Sequence, residues 1–115
     1  MIAVIIPAHN EARRLGHCLK SVKLAALQAQ AAGHRVEILV VLDRCTDGSE
    51  AVSRRHGVDT LAVDAGNVGV ARRAGAALML ERGASWLACT DADSRVPRHW
   101  LLWQLACNAD VVCGT

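Results

Sequence analysis

The chain has 115 residues, a formal net charge of +2 and 52% hydrophobic residues, with three tryptophans as its only Phe, Trp or Tyr side chains. That length makes one domain, residues 1–115, able to bury roughly two-thirds of its unfolded surface. The charge is too small to argue for nucleic acid or an acidic membrane, and no stretch approaches the ~20 apolar residues that span a bilayer.

In chain order, "IAVIIPA" (2–8) is a continuous β-branched run, as expected for a strand covered on both faces. The N-terminal stretch "MIAVIIPAHNEARR" lacks a basic leader and its apolar run stops after eight residues, so it reads as a strand and not a signal peptide. Asn10 offers a helix N-cap and Glu11 an acidic first turn. Leu15, Cys18, Leu19, Val22, Ala26 and Ala29 then recur at helical spacing until Gly33. "VEILVVL" (36–42) is a second buried strand. The polar turn "DRCTDGS" leads into a short helix near 48–56 that Gly57 ends, with Asp47 as its cap. "VDTLAV" (58–63) is a third strand. The loop "DAGNVG" precedes a helix over 70–82 with an expected buried stripe of Val70, Ala74, Ala77 and Leu78. "SWLAC" (85–89) is a fourth strand. Pro97 suits the first position of a helix running to Asn108, and "DVVCG" (110–114) reads as a fifth strand.

Strands alternating with helices at this spacing predict a doubly wound α/β sheet, mostly parallel, with helices on both faces. Ligands of such sheets bind beyond the carboxyl ends of the strands. The loops 7–11, 43–49, 64–73 and 90–97 all follow strands and hold most of the polar residues. No GxxxxGK[ST] and no GxGxxG follows the first strand, which argues against a P-loop hydrolase and a dinucleotide-dependent oxidoreductase.

Asp91 and Asp93 stand one residue apart at a strand end. Positions i and i+2 of an extended segment share a face, so both carboxylates can meet one hard cation, Mg²⁺ or Mn²⁺. A turn with a helix cap is the plainer reading of the same pair. Asp43 has no capping duty in the sequence, and a lone acid there suits a base or ribose. The Asn67–Gly69–Arg72 spacing invites an anion near a helix start. His9 suits ligand or structure equally. His17, His34, His56 and His99 show no metal or triad spacing. Trp86, Trp100 and Trp103 are expected in the core. The five cysteines, odd in number and without a CxxC pair, suit reduced, buried thiols.

Together "VIIPAHNEARRL", "ILVVLDRCTDGS", "GNVGVARRAG" and "TDADSRVPRHWL" resemble, in order and at family spacing, the N-terminal half of family 2 glycosyltransferases of the GT-A fold. The resemblance covers nearly the whole chain. It implies a Rossmann-like domain that binds a nucleotide-diphosphate sugar, most often UDP-linked, and passes the sugar to an acceptor hydroxyl with inversion. By position, Pro7, His9 and Glu11 would line the nucleotide pocket and Asp43 would hydrogen-bond the base. Arg72 would lie near base or diphosphate, Asp91 would reach ribose or a metal-bound water, and Asp93 of the DxD motif would bind Mg²⁺ or Mn²⁺. Leu42 replaces the first acid of the family's paired aspartates, Arg44-Cys45 replace Gly-Ser, and Arg73 replaces Asn. The family's general base belongs to an acceptor-binding half expected beyond this chain, so no catalytic base is assigned. The alternative is a non-catalytic nucleotide-binding or assembly module that keeps the half-fold. A nucleotidyltransferase of related fold fits less well, since its glycine- and arginine-rich opening loop is absent. The expected setting is cytoplasmic, with peripheral attachment at the inner membrane face as a variant. A homo-oligomer is expected if sheet edge or helix surface is left uncovered.

Overall fold

The computed structural model describes residues 1–106 and the short strand 111–113. Five strands, β1 (Ile2–Ala8), β2 (Val36–Asp43), β3 (Asp59–Val63), β4 (Trp86–Cys89) and β5 (Val111–Cys113), form one sheet in the order β3-β2-β1-β4-β5. All pairings are parallel. The intervening helices are α1 (Ala12–Ala31), α2 (Ser49–Arg55), α3 (Val68–Glu81) and α4 (Trp100–Ala106). The expected doubly wound parallel fold is therefore observed. No described helix is long and apolar enough to cross a membrane.

Every residue of β1 is buried, because both faces of the central strand are covered. Alternation divides its side chains. Ile2, Val4 and Ile6 join Val40 and Ala88 under α1, with Leu15, Leu19, Val22 and Leu101. Ala3 and Ile5 join Leu39, Val41 and Leu87 on the opposite face, under Ala71 and Met79 of α3. A one-residue register slip would exchange these two sets.

Several local expectations are corrected. The buried positions of α3 are Ala71, Gly75 and Met79; Val70 is exposed, as is Ala77, and Ala74 and Leu78 are only partly covered. The stripe lies one position further along the helix because its centre is a glycine, which apolar counting passes over. A Cβ at Gly75 would stand 2.7 Å from Val41 Cγ2 and 2.9 Å from Ile5 Cγ2. The small residue is what lets α3 approach the sheet. Helix α3 itself begins at Val68, with Asn67 Oδ1 accepting from the Val70 N–H at 3.1 Å.

Pro97 does not open α4. The Trp100 N–H bonds the Pro97 carbonyl at 3.0 Å in a turn, and the helix starts three positions later. Its expected end at Asn108 lies outside the described residues. Trp100 is buried and Trp86 partly so, but Trp103 is 62% exposed and rests on the His99 ring at 3.9 Å between centroids. Asn10 does not cap α1 either. It adopts φ = 50°, a left-handed conformation that Asn tolerates, and its side chain serves another loop.

Candidate functional site

The chain runs outward from β1 to β2 and β3, then crosses back to place β4 on the other side of β1. The loops after β1 and β4 therefore diverge at the switch point, where an open parallel sheet presents a crevice. That crevice measures about 510 Å³. Pro7, His9 and Glu11 line it from the β1 side, Asp91, Ala92 and Asp93 from the β4 side, and Val68 and Arg72 from α3.

The β1 loop is held by its neighbour. Asn10 Oδ1 accepts from the Thr46 N–H at 2.8 Å and the Asp47 N–H at 3.3 Å. Asp47 answers by accepting from the Ala12 N–H at 3.1 Å and from the Ser49 N–H at 3.0 Å. One carboxylate thus serves the first turns of both α1 and α2. The Ser49 hydroxyl above all, and then these backbone N–H groups, hold its carboxyl below the usual range against the desolvation that opposes them. His9 Nδ1 lies 2.8 Å from the Asp43 carbonyl, which can only accept. Nδ1 is therefore the donor of this bond, which leaves Nε2 for a ligand.

The β4 loop is fixed from below. The Cys18 thiol donates to the Asp91 carbonyl at 3.4 Å, and the Val96 N–H donates to Ser21 Oγ at 3.1 Å. Burial, aided by the Asp93 and Asp91 charges, pushes the Cys18 thiol up to about 12, so it stays protonated. Above this anchor, Arg72 Nη2 donates to Asp91 Oδ1 at 3.0 Å. Arg72 Nε is shielded from solvent and finds no acceptor among the described residues. Asp93 has a looser pairing, 3.6 Å to Arg14, and its side chain is 46% exposed.

Of the residues singled out in the sequence, Pro7, His9, Glu11, Arg72, Asp91 and Asp93 share one cleft, whereas Asp43 does not line it. The Asp43 carboxylate is buried and accepts from the Ala65, Gly66 and Asn67 N–H groups at 2.8, 3.0 and 3.2 Å. It does have a capping duty, on the loop leading to α3. The Gly66 N–H chiefly holds its carboxyl below the usual range; burial opposes this, and the Ala65 and Asn67 N–H groups and the Arg44 charge assist it. Sequence reasoning did not find Val68 and Ala92, which bear no chemical signature, or Arg14, one helical turn beyond Glu11 and thus on the cleft side of α1.

Three carboxylates, Glu11, Asp91 and Asp93, and the Arg72 guanidinium line the cleft, a set that suits a ligand bearing oxyanions when a cation accompanies it. Among the described residues no three His, Cys, Asp or Glu side chains group closely enough to hold a metal ion unaided. Mg²⁺ and Mn²⁺ do not require such a cage, since one or two carboxylates plus ligand phosphates suffice. Asp93 and the second oxygen of Asp91 fit that donor chemistry.

Similar folds occur in larger proteins. Residues 1–349 of TarS from S. aureus superpose with a TM-score of 0.74 at 17% identity, over 91% of this chain and 31% of TarS 1–349. The mannosyltransferase PcManGT from Pyrobaculum calidifontis, solved with GDP-Man and Mn²⁺, gives 0.66 at 22% identity, over 88% of this chain and 30% of that one. Mannosyl-3-phosphoglycerate synthase from Rubrobacter xylanophilus gives 0.61 at 21%, over 84% and 31%. The chain thus spans about a third of the length of these proteins, and they establish its GT-A fold. No curated protein sequence gives a significant match. The family model for glycosyl transferase family 2 matches residues 3–115, and the chain belongs to that family.

Proposed function

We propose that this domain binds a nucleotide-diphosphate sugar, UDP-linked, for transfer of the sugar to an acceptor hydroxyl with inversion. The observation that carries the reading is the switch-point cleft, where Arg72, paired with Asp91, shares the lining with Asp93. A diphosphate matches the charge of that guanidinium. TarS 1–349 has been solved with UDP and PcManGT with GDP-Man and Mn²⁺, which supports nucleotide-sugar recognition by a domain of this fold.

In the transfer, the acceptor hydroxyl oxygen attacks the anomeric carbon, its proton passes to a base not assigned among the described residues, and the bond from that carbon to the diphosphate oxygen breaks. Negative charge grows on the departing nucleoside diphosphate. Arg72 lies where it would neutralise that charge, held in orientation by Asp91. Mg²⁺ or Mn²⁺, bound through Asp93 and Asp91, would supply Lewis-acid stabilisation of the same leaving group. Pro7 and Glu11 form the wall against the nucleoside, and His9 Nε2 is left to bond it. Asp43 acts indirectly, fixing loop 65–67 ahead of Val68 and Arg72, which line the cleft. Glu11, Asp91 and Asp93 are the only carboxylates lining the cleft among the described residues, and none is given the role of general base.

Calorimetric titration of UDP and GDP in Mn²⁺ buffer tests the reading. UDP is expected to bind more tightly than GDP, and Arg72→Gln to weaken UDP about tenfold or more, as expected for losing a charge-assisted hydrogen bond. Absence of binding to either nucleotide would refute it.

A further inference from the structure

On the far side of α1 from the cleft, a groove of about 270 Å³ runs between α1 and α2. Arg13, His17 and Lys20 face it from α1, Arg55 and His56 from the end of α2, and no carboxylate lines it. The arginine pairs divide their work. Arg14 pairs with Glu11 and Asp93, and Arg54 with Glu50. Their neighbours Arg13 and Arg55 have no carboxylate partner among the described residues, and both line the groove.

Gly16 lies in the interior of α1, where glycine is less favourable than alanine. Packing does not require it: an added Cβ would lie 3.7 Å from His56 Nε2 and 3.9 Å from Val52 Cγ1, ordinary contact distances. What the glycine provides is depth under the cationic side chains. His56 reports the uncompensated field. Its pKa is lowered by burial first, then by Lys23, Lys20 and Arg55.

We propose that the groove between α1 and α2 is a second ligand site, which binds a phosphate group through Arg13, Lys20 and Arg55, beside His17 and the half-buried His56. Two arginines and a lysine around a concave floor match the charge and the donor demand of a phosphate monoester or diphosphate. The phosphate is carried either by a soluble molecule or by a lipid headgroup, and the chemistry of recognition is common to both. The site is separate from the cleft and does not depend on the transferase reading.

The test uses the wild-type chain, an Arg13→Gln/Arg55→Gln variant and Arg72→Gln, in chelator so that no divalent ion contributes. Inorganic pyrophosphate is titrated by calorimetry while the His56 ring is followed by NMR. Co-sedimentation with vesicles of phosphatidylcholine mixed with phosphatidic acid forms the second arm. Arg13 and Arg55 are exposed, so their replacement should leave the thermal transition in place. A soluble-phosphate site predicts pyrophosphate binding that raises the His56 pKa and weakens about tenfold or more in Arg13→Gln/Arg55→Gln, but not in Arg72→Gln. A headgroup site predicts the same loss in the vesicle arm alone. No binding in either arm overturns the proposal. So does binding untouched by Arg13→Gln/Arg55→Gln but lost in Arg72→Gln, which would assign it to the cleft.

Discussion

The Asp47 carboxylate accepts a hydrogen bond from the Ala12 N–H at 3.1 Å, although 35 positions separate the two residues. The contact makes the β2 loop a cap for the helix that follows β1. Through Asn10 the traffic runs the other way, and the two loops are cross-tied. Replacing Asp47 by Ala removes acceptors from two helix starts at once. A loss of about 1–2 kcal/mol is expected by analogy with deleted N-caps, read from the urea midpoint; a change below about 0.3 kcal/mol would contradict this role.

The titrating groups set the acid dependence of stability. His56 has a depressed folded pKa, so the unfolded chain binds its proton first and stability declines as pH falls below about 6.5. Asp43 and Asp47 also have depressed folded values. Their contribution is complete above the unfolded carboxylate pKa of about 3.9 and is lost as pH falls through the folded values. Urea midpoints across this range should therefore fall in two stages. His56→Gln should flatten the upper stage and leave the lower; an unchanged upper stage would show that another group governs it.

Gly75→Ala should destabilise the protein despite alanine's better helix propensity. The added methyl meets Val41 of β2 at 2.7 Å and Ile5 of β1 at 2.9 Å, and overpacking of this kind costs about 1–3 kcal/mol. Thermal unfolding reads the effect, and an unchanged or raised Tm would mean that α3 lifts off the sheet freely.

Arg44 has φ = 53°, a left-handed conformation unfavourable by roughly 1–2 kcal/mol for a residue with a Cβ. It occupies the position at which the family motif has glycine. Its guanidinium pairs with Asp64 at the surface, an interaction of small net value. Arg44→Gly is expected to leave stability unchanged or raise it by about 0.5–1 kcal/mol. A drop of more than about 1 kcal/mol would show that the ion pair outweighs the backbone strain.

The strands and their parallel order were legible because β1 is apolar without interruption and β2 is apolar from Ile38 to Leu42, a pattern that two-sided burial explains. The site was legible because the loops follow strands, and strand ends converge. The helix details were less so. Gly75 is a core position that carries no hydrophobic signal, and Asn10 and Asp47 bond to each other's loops over distances that a local capping rule does not see. Asp43 looked free in the sequence for the same reason: its partners are backbone N–H groups, which every residue except proline has.

The central claim is that the cleft holds a nucleoside diphosphate together with a divalent ion at Asp93. Titration of UDP with and without Mn²⁺, for wild type and Asp93→Asn, forms a thermodynamic cycle that tests it directly. Because no protein cage exists for the ion among the described residues, UDP and Mn²⁺ should enhance each other's binding about tenfold or more in wild type, and Asp93→Asn should abolish that coupling. Equal UDP affinity with and without Mn²⁺ in wild type, or coupling that survives Asp93→Asn, would contradict the account.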